Sequence, residues 1–349
     1  MDLARKLVDL SYDLARPVIF GLTENNPERA HKGFIKLAQA VHALRLERFL
    51  LDNEANDWPG IYRVSNAAGF NKNGEIPASF LRYLGFDRNV IGTVTADPWV
   101  GNPDSPRIWR YAKTGSLVNC LGLPGLGAEG VARNIEKYAL GDLPITINVM
   151  ATPGKKGKEI WEDVRASVHI LKDFPGVDRI EANVSCPNTH SQSGALDARR
   201  ENQQMVAAIV DAINEEKRGD QSLYVKVSPD LDQKGIQDTY RVLQEKGVRG
   251  IVATNTTTIH DPRYISPSPG KGGGSGDAVY DRSLQVQRAF WRIIQEDGSH
   301  MEVIACGGID SIVRAREKTC VINGAREVQI YTPLIFKGPR LLRHLRRGY

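Results

Sequence analysis

Residues 180–190 read IEANVSCPNTH. An apolar, strand-like run breaks off there into Asn183, Ser185, Cys186, Asn188 and Thr189, with Pro187 wedged among them. Seven other β-rich runs share its character: IYRVSNAAG (61–69), VIGTVT (90–95), ITINVM (145–150), LYVKVS (223–228), GIVATNT (250–256), VIACGG (303–308) and VQIYTP (328–333). With RIEANVS (179–185) they make eight. Helical patterns fall between or after them, clearest at 158–172, 199–217, 237–246, 282–296 and 311–323. Continuous apolar strands joined by helices read as parallel β/α units. Eight such units predict an α/β fold of the (β/α)8 barrel type, a TIM barrel.

The rival is a doubly wound open sheet, which would carry its phosphate loop just after the first strand. No GxGxxG opens a helix there. GLPGLG (122–127) has its glycines in the wrong order and contains a proline, so it reads as a turn. GKGGGSG (270–276) lacks the GK[ST] ending of a triphosphate loop and, taken alone, reads as a flexible linker.

The chain is 41% hydrophobic and 25% charged, as soluble globular proteins are, and no stretch approaches the roughly 20 apolar residues of a spanning helix. Net charge is +5, but the basic residues are scattered apart from Arg340, Arg343, Arg346 and Arg347, which argues against nucleic acid as a partner. Cys120, Cys186, Cys306 and Cys320 show no CxxC spacing and the seven histidines no HExxH. Neither a metal site nor a disulfide framework is expected. Acidic residues interrupt the N-terminus as a secretory signal, so a reducing intracellular setting is the default.

Residues 1–50 stand apart from the barrel at 51–349. Leu3, Leu7, Leu10 and Leu14 recur at helical spacing, and after Pro17 and NNPERAH a second pattern runs through Phe34, Leu37, Val41 and Leu44. Two helices are expected, either capping the bottom of the barrel or lying at a membrane surface.

In such a barrel the C-terminal strand ends carry the chemistry. Here they supply Asn71 and Lys72, then Thr93 and Thr95, Asn148, Asn183 with its polar neighbours, Lys226, and Thr254, Asn255 and Thr256. A single asparagine at a strand end is ordinarily a cap or turn residue. Three strands ending in asparagine, joined by Asn119, point instead to a flat heterocycle with alternating N–H and C=O groups. The lysines suit a carboxylate or a developing negative charge. Ser275–Gly276 and Gly307–Gly308 offer backbone N–H groups to a phosphate.

Taken in order, NAAGFNKNGE (66–75), IGTVTADPWVGNPDSPRIWR (91–110), NVSCPNT (183–189), KVSPDL (226–231), VATNTT (252–257), GGGSG (272–276), ACGGI (305–309) and VQIYTPLIFKGP (328–339) resemble the dihydroorotate dehydrogenases over nearly the whole barrel. These are flavoenzymes that oxidise dihydroorotate to orotate in pyrimidine synthesis. The first fifty residues, with NPERAH, resemble the membrane-associated, quinone-reducing class 2 branch. The resemblance implies FMN on Ala67, Ala68, Gly69, Thr93, Asn119, Asn148, Asn183, Lys226 and Thr254, with its phosphate on Ser275, Gly276, Gly307, Gly308, Tyr331 and Thr332. It implies substrate on Lys72, Asn119, Leu121, Gly122, Leu123, Asn183, Asn188, Asn255 and Thr256, and quinone at His31 and Arg110. Cys186 matches the base that takes the C5 proton, and Thr189 the residue that orients it. The implied location is peripheral, on the cytoplasmic face of a bacterial inner membrane.

The chain departs from the class 2 pattern in places. Class 2 carries serine where Cys186 stands, and a thiol belongs to the soluble class 1 enzymes; a thiol of ordinary pKa near 8.5 ionises far more easily than an alcohol. NCLGLPG (119–125) also resembles class 1, and HSQSGALD (190–197) replaces the usual start of the lid over the substrate. Two other readings therefore stand beside a quinone-linked dihydroorotate dehydrogenase. One is a related FMN barrel with another dihydropyrimidine or with fumarate as acceptor. The other is a non-catalytic barrel that binds a partner through its N-terminal helices.

Overall fold

A computed structural model describes residues 2–23, 26–46, 62–141, 143–184 and 195–346. Within them lie helices α1 (Asp2–Leu22) and α2 (Pro27–Ala43), followed by strands β1 (Arg63–Asn66), β2 (Asn89–Val94), β3 (Ile108–Tyr111), β4 (Ser116–Asn119), β5 (Ile145–Val149), β6 (Val177–Asn183), β7 (Ser222–Val227), β8 (Gly250–Ala253), β9 (Gly273–Gly276), β10 (Glu302–Cys306) and β11 (Ala325–Ile330). Eight of these strands form one parallel sheet in the order β1-β11-β10-β8-β7-β6-β5-β2. Every one of the eight apolar runs overlaps one of them.

The sheet closes between its two end strands. Ser65 bridges Arg88 in parallel, and the Asn66 amide bonds the backbone of Val90 twice, Nδ2 to O at 2.6 Å and N to Oδ1 at 3.0 Å. One side chain thus substitutes for ladder bonds at the seam. The expected (β/α)8 barrel is the observed architecture, with barrel helices at Lys158–Leu171, Ala195–Glu216, Gln233–Glu245, Asp277–Glu296 and Ile312–Thr319 packed outside.

Alternation along each strand separates two environments. Outward residues such as Val64, Ile91, Ile147, Ile180, Val225, Ile251, Val303 and Val328 join the helices in the main apolar core. Fully burying each such side chain contributes about 1.5–3 kcal/mol. Inward residues form only a small apolar cluster, Ala67, Tyr224, Val252, Ile304 and Cys306. The rest of the interior is polar. Arg179 pairs with Glu327 at 3.0 Å and lies over the Tyr224 ring, while Ser65 donates to Glu327 at 2.6 Å. An unpaired buried charge costs several kcal/mol, so this layer persists because each charge has a partner.

Four features differ from the sequence expectations. First, β3, β4 and β9 form an antiparallel three-stranded sheet beside the barrel. Its four-residue strands are too short to show a period, and β9 consists of Gly273, Gly274, Ser275 and Gly276. Secondly, the stretch read as a linker is therefore partly a strand, and its glycines answer to crowding. A Cβ on Gly273 would meet Thr256 Oγ1 at 2.1 Å.

Thirdly, α1 continues through Pro17. The proline removes one i→i−4 bond, and contacts on both sides of it hold the helix straight onto the barrel. Tyr12 Oη donates to Ile335 O at 2.5 Å, Arg16 donates to Phe336 O, Arg340 pairs with Asp13 at 2.7 Å, and Arg110 donates to Phe20 O at 2.8 Å. Fourthly, of the two placements left open for the helical pair, capping the barrel bottom is not the one observed. From α2, His31 and Phe34 meet Phe70, which follows β1, and His31 also meets Tyr331, which follows β11. Both neighbours stand at C-terminal strand ends, so α2 lies at the mouth. The boundary drawn at residue 50 lies outside the described residues.

Candidate active site

Backbone geometry brings the strand-end polar groups together. Thr254 N donates to Cys306 O and Asn255 N to Val227 O, each at 2.8 Å, which extends the ladders past the ends of β8 and its neighbours. The side chains then join across the mouth: Asn255 Nδ2 donates to Asn183 Oδ1 at 3.2 Å, and Asn183 Nδ2 donates to Thr93 Oγ1 at 3.3 Å. Strands β8, β6 and β2 are thereby linked by one run of amides and a hydroxyl. Each amide in it can still bind a ligand.

Below that run lies a second group. Glu181 is fully buried, and it accepts from Asn148 Nδ2 at 2.7 Å and from Gln329 Nε2 at 2.8 Å. Lys226 Nζ stands 3.9 Å from the same carboxylate and donates to Gln329 Oε1 at 3.4 Å. Asn148 Oδ1 is buried and, among the described residues, has no hydrogen-bond partner. A buried carbonyl left in that state is costly, so an N–H group placed against it gains the whole of that cost.

The antiparallel sheet carries Asn119 over the opening, where its Nδ2 donates to Gly273 O at 3.4 Å beside Thr256. Leu121, Gly122 and Leu123 follow as a tight segment. A Cβ on Gly122 would strike Asn102 Oδ1 at 2.4 Å, and Leu123 itself sits at a φ of 60°. Lys72 reaches this segment, its Cε lying 3.6 Å from the point where a Gly125 Cβ would be. Burial lowers its pKa to about 7; the nearby Arg107 guanidinium lowers it further and Glu28 opposes this. Arg107 is held by Glu28 of α2 through two bonds of 2.9 and 2.6 Å. A carboxylate arriving at Lys72 would restore its charge.

A cradle lies at the ends of β9, β10 and β11. A Cβ on Gly276 would meet Gly115 O at 2.1 Å, on Gly307 Ser283 Oγ at 2.8 Å, and on Gly308 Gly276 O at 2.7 Å. Ser275 Oγ and Thr332 Oγ1 are 2.9 Å apart beside it. Gly276 is also the N-cap of the twenty-residue helix Asp277–Glu296, in whose first turn Ala278 N donates to Ser116 Oγ at 3.1 Å. Only glycine fits at these three positions, where the chain packs against itself, and glycine also leaves its backbone N–H unshielded by a side chain. Ala67, Ala68 and Gly69 leave β1 nearby, with Gly69 N bonded to Gly92 O at 2.6 Å and its α-carbon facing Tyr331.

The two residues matched to quinone occupy the α1–α2 side of the mouth. His31 packs among Phe34, Phe70 and Tyr331, with centroids 6.3, 6.0 and 6.1 Å away. Burial pulls its pKa down to about 4 against the opposing hydrogen bond with the Phe70 backbone, so the ring is neutral at neutral pH. Arg110 lies over the Phe20 ring at 4.3 Å and donates to Thr23 Oγ1 at 3.1 Å, a cation at the C-terminal end of α1.

Cys186, Asn188 and Thr189 lie outside the described residues. Sequence reading missed Glu181, Gln329 and the Arg107–Glu28 pair. Glu181 shares its strand with Asp178 and Arg179, and nothing in a barrel strand buried on both faces marks which side each charge takes.

A family model described as dihydroorotate dehydrogenase matches residues 61–348. A protein of Halobacterium salinarum named dihydroorotate dehydrogenase (quinone) is 31% identical over 347 residues, covering 97% of this chain and 94% of its own. One of the same name from Corynebacterium diphtheriae is 34% identical over 344 residues, covering 94% and 90%. Among solved structures, DHODH in complex with ferulenol from Eimeria tenella superposes with a TM-score of 0.78 at 26% identity, covering 95% of this chain and 93% of that one. A likeness that runs through barrel and N-terminal helices alike leaves one assignment: the chain belongs to the dihydroorotate dehydrogenase family.

Proposed function

We propose that this enzyme oxidises (S)-dihydroorotate to orotate and passes the electrons to a quinone, as a step in pyrimidine synthesis. The observation that carries the reading is the Thr93–Asn183–Asn255 run with Lys72 beside it, a site shaped for a flat ring with a carboxylate. Membership in the family and the names of its quinone-dependent relatives supply the reaction.

The residues present fit FMN. The glycine cradle around Gly276, Gly307 and Gly308, with Ser275 and Thr332, suits its phosphate, and Tyr331 and Ala67–Gly69 border the path inward. Asn148, Lys226, Thr93, Thr254 and Asn119 suit its ring, and the bare Asn148 Oδ1 fits an N–H of the flavin's pyrimidine edge. Bound there, FMN supplies a two-electron acceptor for the hydride from C6 of the substrate. Lys72 holds the substrate carboxylate as a charge-assisted pair. Asn119, Asn183, Asn188 and Asn255, with Thr256, satisfy the ring's polar groups, which a buried ligand requires. The Leu121–Leu123 segment covers the substrate from above. Cys186 takes the C5 proton as a thiolate base, and Thr189 orients it.

Quinone reaches the flavin from the α1–α2 side, past neutral His31 and Arg110. On α1 the side chains of Leu10, Leu14, Val18 and Leu22 recur every fourth residue and are exposed, Leu14 at 68%, and Leu37 and Leu44 of the second helical segment are exposed too. An exposed apolar stripe of this kind inserts shallowly into a lipid surface. No described helix is long and apolar enough to cross a membrane. The exposed stripe supports a peripheral position at a membrane, and the cytoplasmic face is the side that the resemblance to the quinone-reducing branch implies.

Detergent-purified protein loaded with FMN tests the reading. Dihydroorotate-dependent reduction of a short-chain quinone is expected, with fumarate a poor substitute. Turnover with fumarate and not quinone would move the chain to the other acceptor class. No turnover with dihydroorotate on fully flavinated protein would remove the substrate.

A further inference from the structure

We propose that Glu181 is a positioning residue that turns the Asn148 carbonyl toward the flavin site as a fixed acceptor and, through Lys226, sets the charge met by the flavin's pyrimidine edge. The inference rests on the FMN reading above. A carboxylate can only accept hydrogen bonds, so any amide bonded to Glu181 must present its NH2 to it. Asn148 does so at 2.7 Å and Gln329 at 2.8 Å, one on each carboxylate oxygen. Each amide oxygen is consequently turned away. That of Gln329 goes to Lys226 Nζ at 3.4 Å, and that of Asn148 is left buried and without a partner among the described residues.

Without the carboxylate nothing would prevent the Asn148 amide from rotating and offering NH2 instead. A flavin presents one N–H between two carbonyls along its pyrimidine edge, so the orientation decides whether Asn148 matches the donor or repels it. Glu181 thus specifies what Asn148 can read without touching the ligand.

Its second effect is electrostatic. Glu181 is fully buried and its Oε1 stands 3.9 Å from Lys226 Nζ, so the two charges largely cancel in a medium where neither is screened by water. The flavin meets a nearly neutral pair. Removing the negative member would leave the Lys226 charge uncompensated by Glu181 and favour the electron-rich, reduced flavin.

Glu181→Gln keeps the volume and removes both properties, because one of its two contacts must then become donor against donor. With wild type and variant prepared as apoprotein and titrated with FMN, the variant is expected to bind about 10-fold more weakly. Its bound flavin is expected to be easier to reduce by about tenfold in the ratio of the two states, ~30 mV for two electrons. Glu181→Asp retains the charge but withdraws it from the amides, so it weakens FMN binding while the potential stays near wild type. In an Asn148→Ala background the affinity effect of Glu181→Gln disappears and the potential shift persists.

A structural role alone would change thermal stability of the apoprotein and leave the potential where it was. Unchanged potential in flavin-bound Glu181→Gln, or affinity losses that add fully with Asn148→Ala, would overturn the proposal. Wild-type protein that fails to bind FMN would overturn the flavin reading itself, and this proposal with it.

Discussion

The barrel interior and the N-terminal helices invert each other. Inside the barrel, polar and charged side chains are buried and paired: Arg179 with Glu327, Glu181 with Asn148, Gln329 and Lys226, Asn183 with Thr93 and Asn255. Along α1 the reverse holds, with Leu10, Leu14, Val18 and Leu22 exposed. Neither arrangement stabilises an isolated chain as well as the ordinary pattern of apolar inside and polar outside. Each makes sense against something the chain faces. In the proposed function the interior offers hydrogen bonds to a polar ring, and the helices offer area to an apolar medium. A reaction that takes electrons from a water-soluble acid to a lipid-soluble quinone needs both surfaces on one molecule, and α2 brings them together at Phe70 and Tyr331.

Breaking the polar half is expected to have the largest effects. Lys72→Met removes the cation proposed to meet the substrate carboxylate, and kcat/KM for dihydroorotate is expected to fall by about 10³-fold, with flavin retained. The same lysine predicts a pH dependence. Its pKa in the free protein is lowered to about 7, so the ammonium is present below that pH and lost above it. The dissociation constant of orotate is therefore expected to increase as pH rises through this region, and Lys72→Arg, charged throughout, is expected to flatten that dependence. Cys186→Ser is expected to keep its flavin and lose about 10²-fold in turnover at neutral pH if the thiol is the base. Unchanged turnover would take the proton to another residue.

The apolar half is sharpened by smaller perturbations. Replacing Leu14 and Val18 together by glutamate reverses the α1 stripe, and binding to anionic vesicles is expected to fall by about 10-fold or more in a flotation assay. Turnover with a water-soluble acceptor is expected to be unaffected, since both side chains are exposed on α1. The smallest effect concerns His31. Its folded pKa, about 4, lies below the ordinary 6.5, so the unfolded chain binds the extra proton between those values. Stability is accordingly lost as pH falls through that window and is fully present above it. His31→Phe is expected to flatten this part of a melting-temperature profile against pH.

How far these regions could be read from sequence follows from their physics. The eight barrel strands were legible because outward residues such as Ile147, Ile180 and Ile251 and the buried residues beside them make continuous apolar runs. The same double burial hid the interior. With both faces of a strand buried, alternation gives no outward side, so Glu181 and Gln329 read as interruptions and not as a layer. The β3–β4–β9 sheet was invisible because glycines in β9 serve close approach, at Gly273 to Thr256, and carry no β signal. Lys72, Asn148, Lys226 and Asn255 stood out because they follow apolar runs at the strand ends. Arg110 stood out by resemblance alone, and its bonds to Phe20 and Thr23 could not be foreseen from spacing. That α1 runs on through Pro17 was not legible either, because the contacts from Tyr12, Asp13 and Arg16 that hold it are long-range.

The central claim is that one mouth receives electrons from dihydroorotate and delivers them to quinone. Anaerobic mixing of the FMN-loaded protein with dihydroorotate, followed by addition of a short-chain quinone, tests it in a single trace of flavin absorbance. The yellow colour is expected to bleach with dihydroorotate and to return with quinone, but not with fumarate. A flavin that stays oxidised in the presence of dihydroorotate would contradict the account.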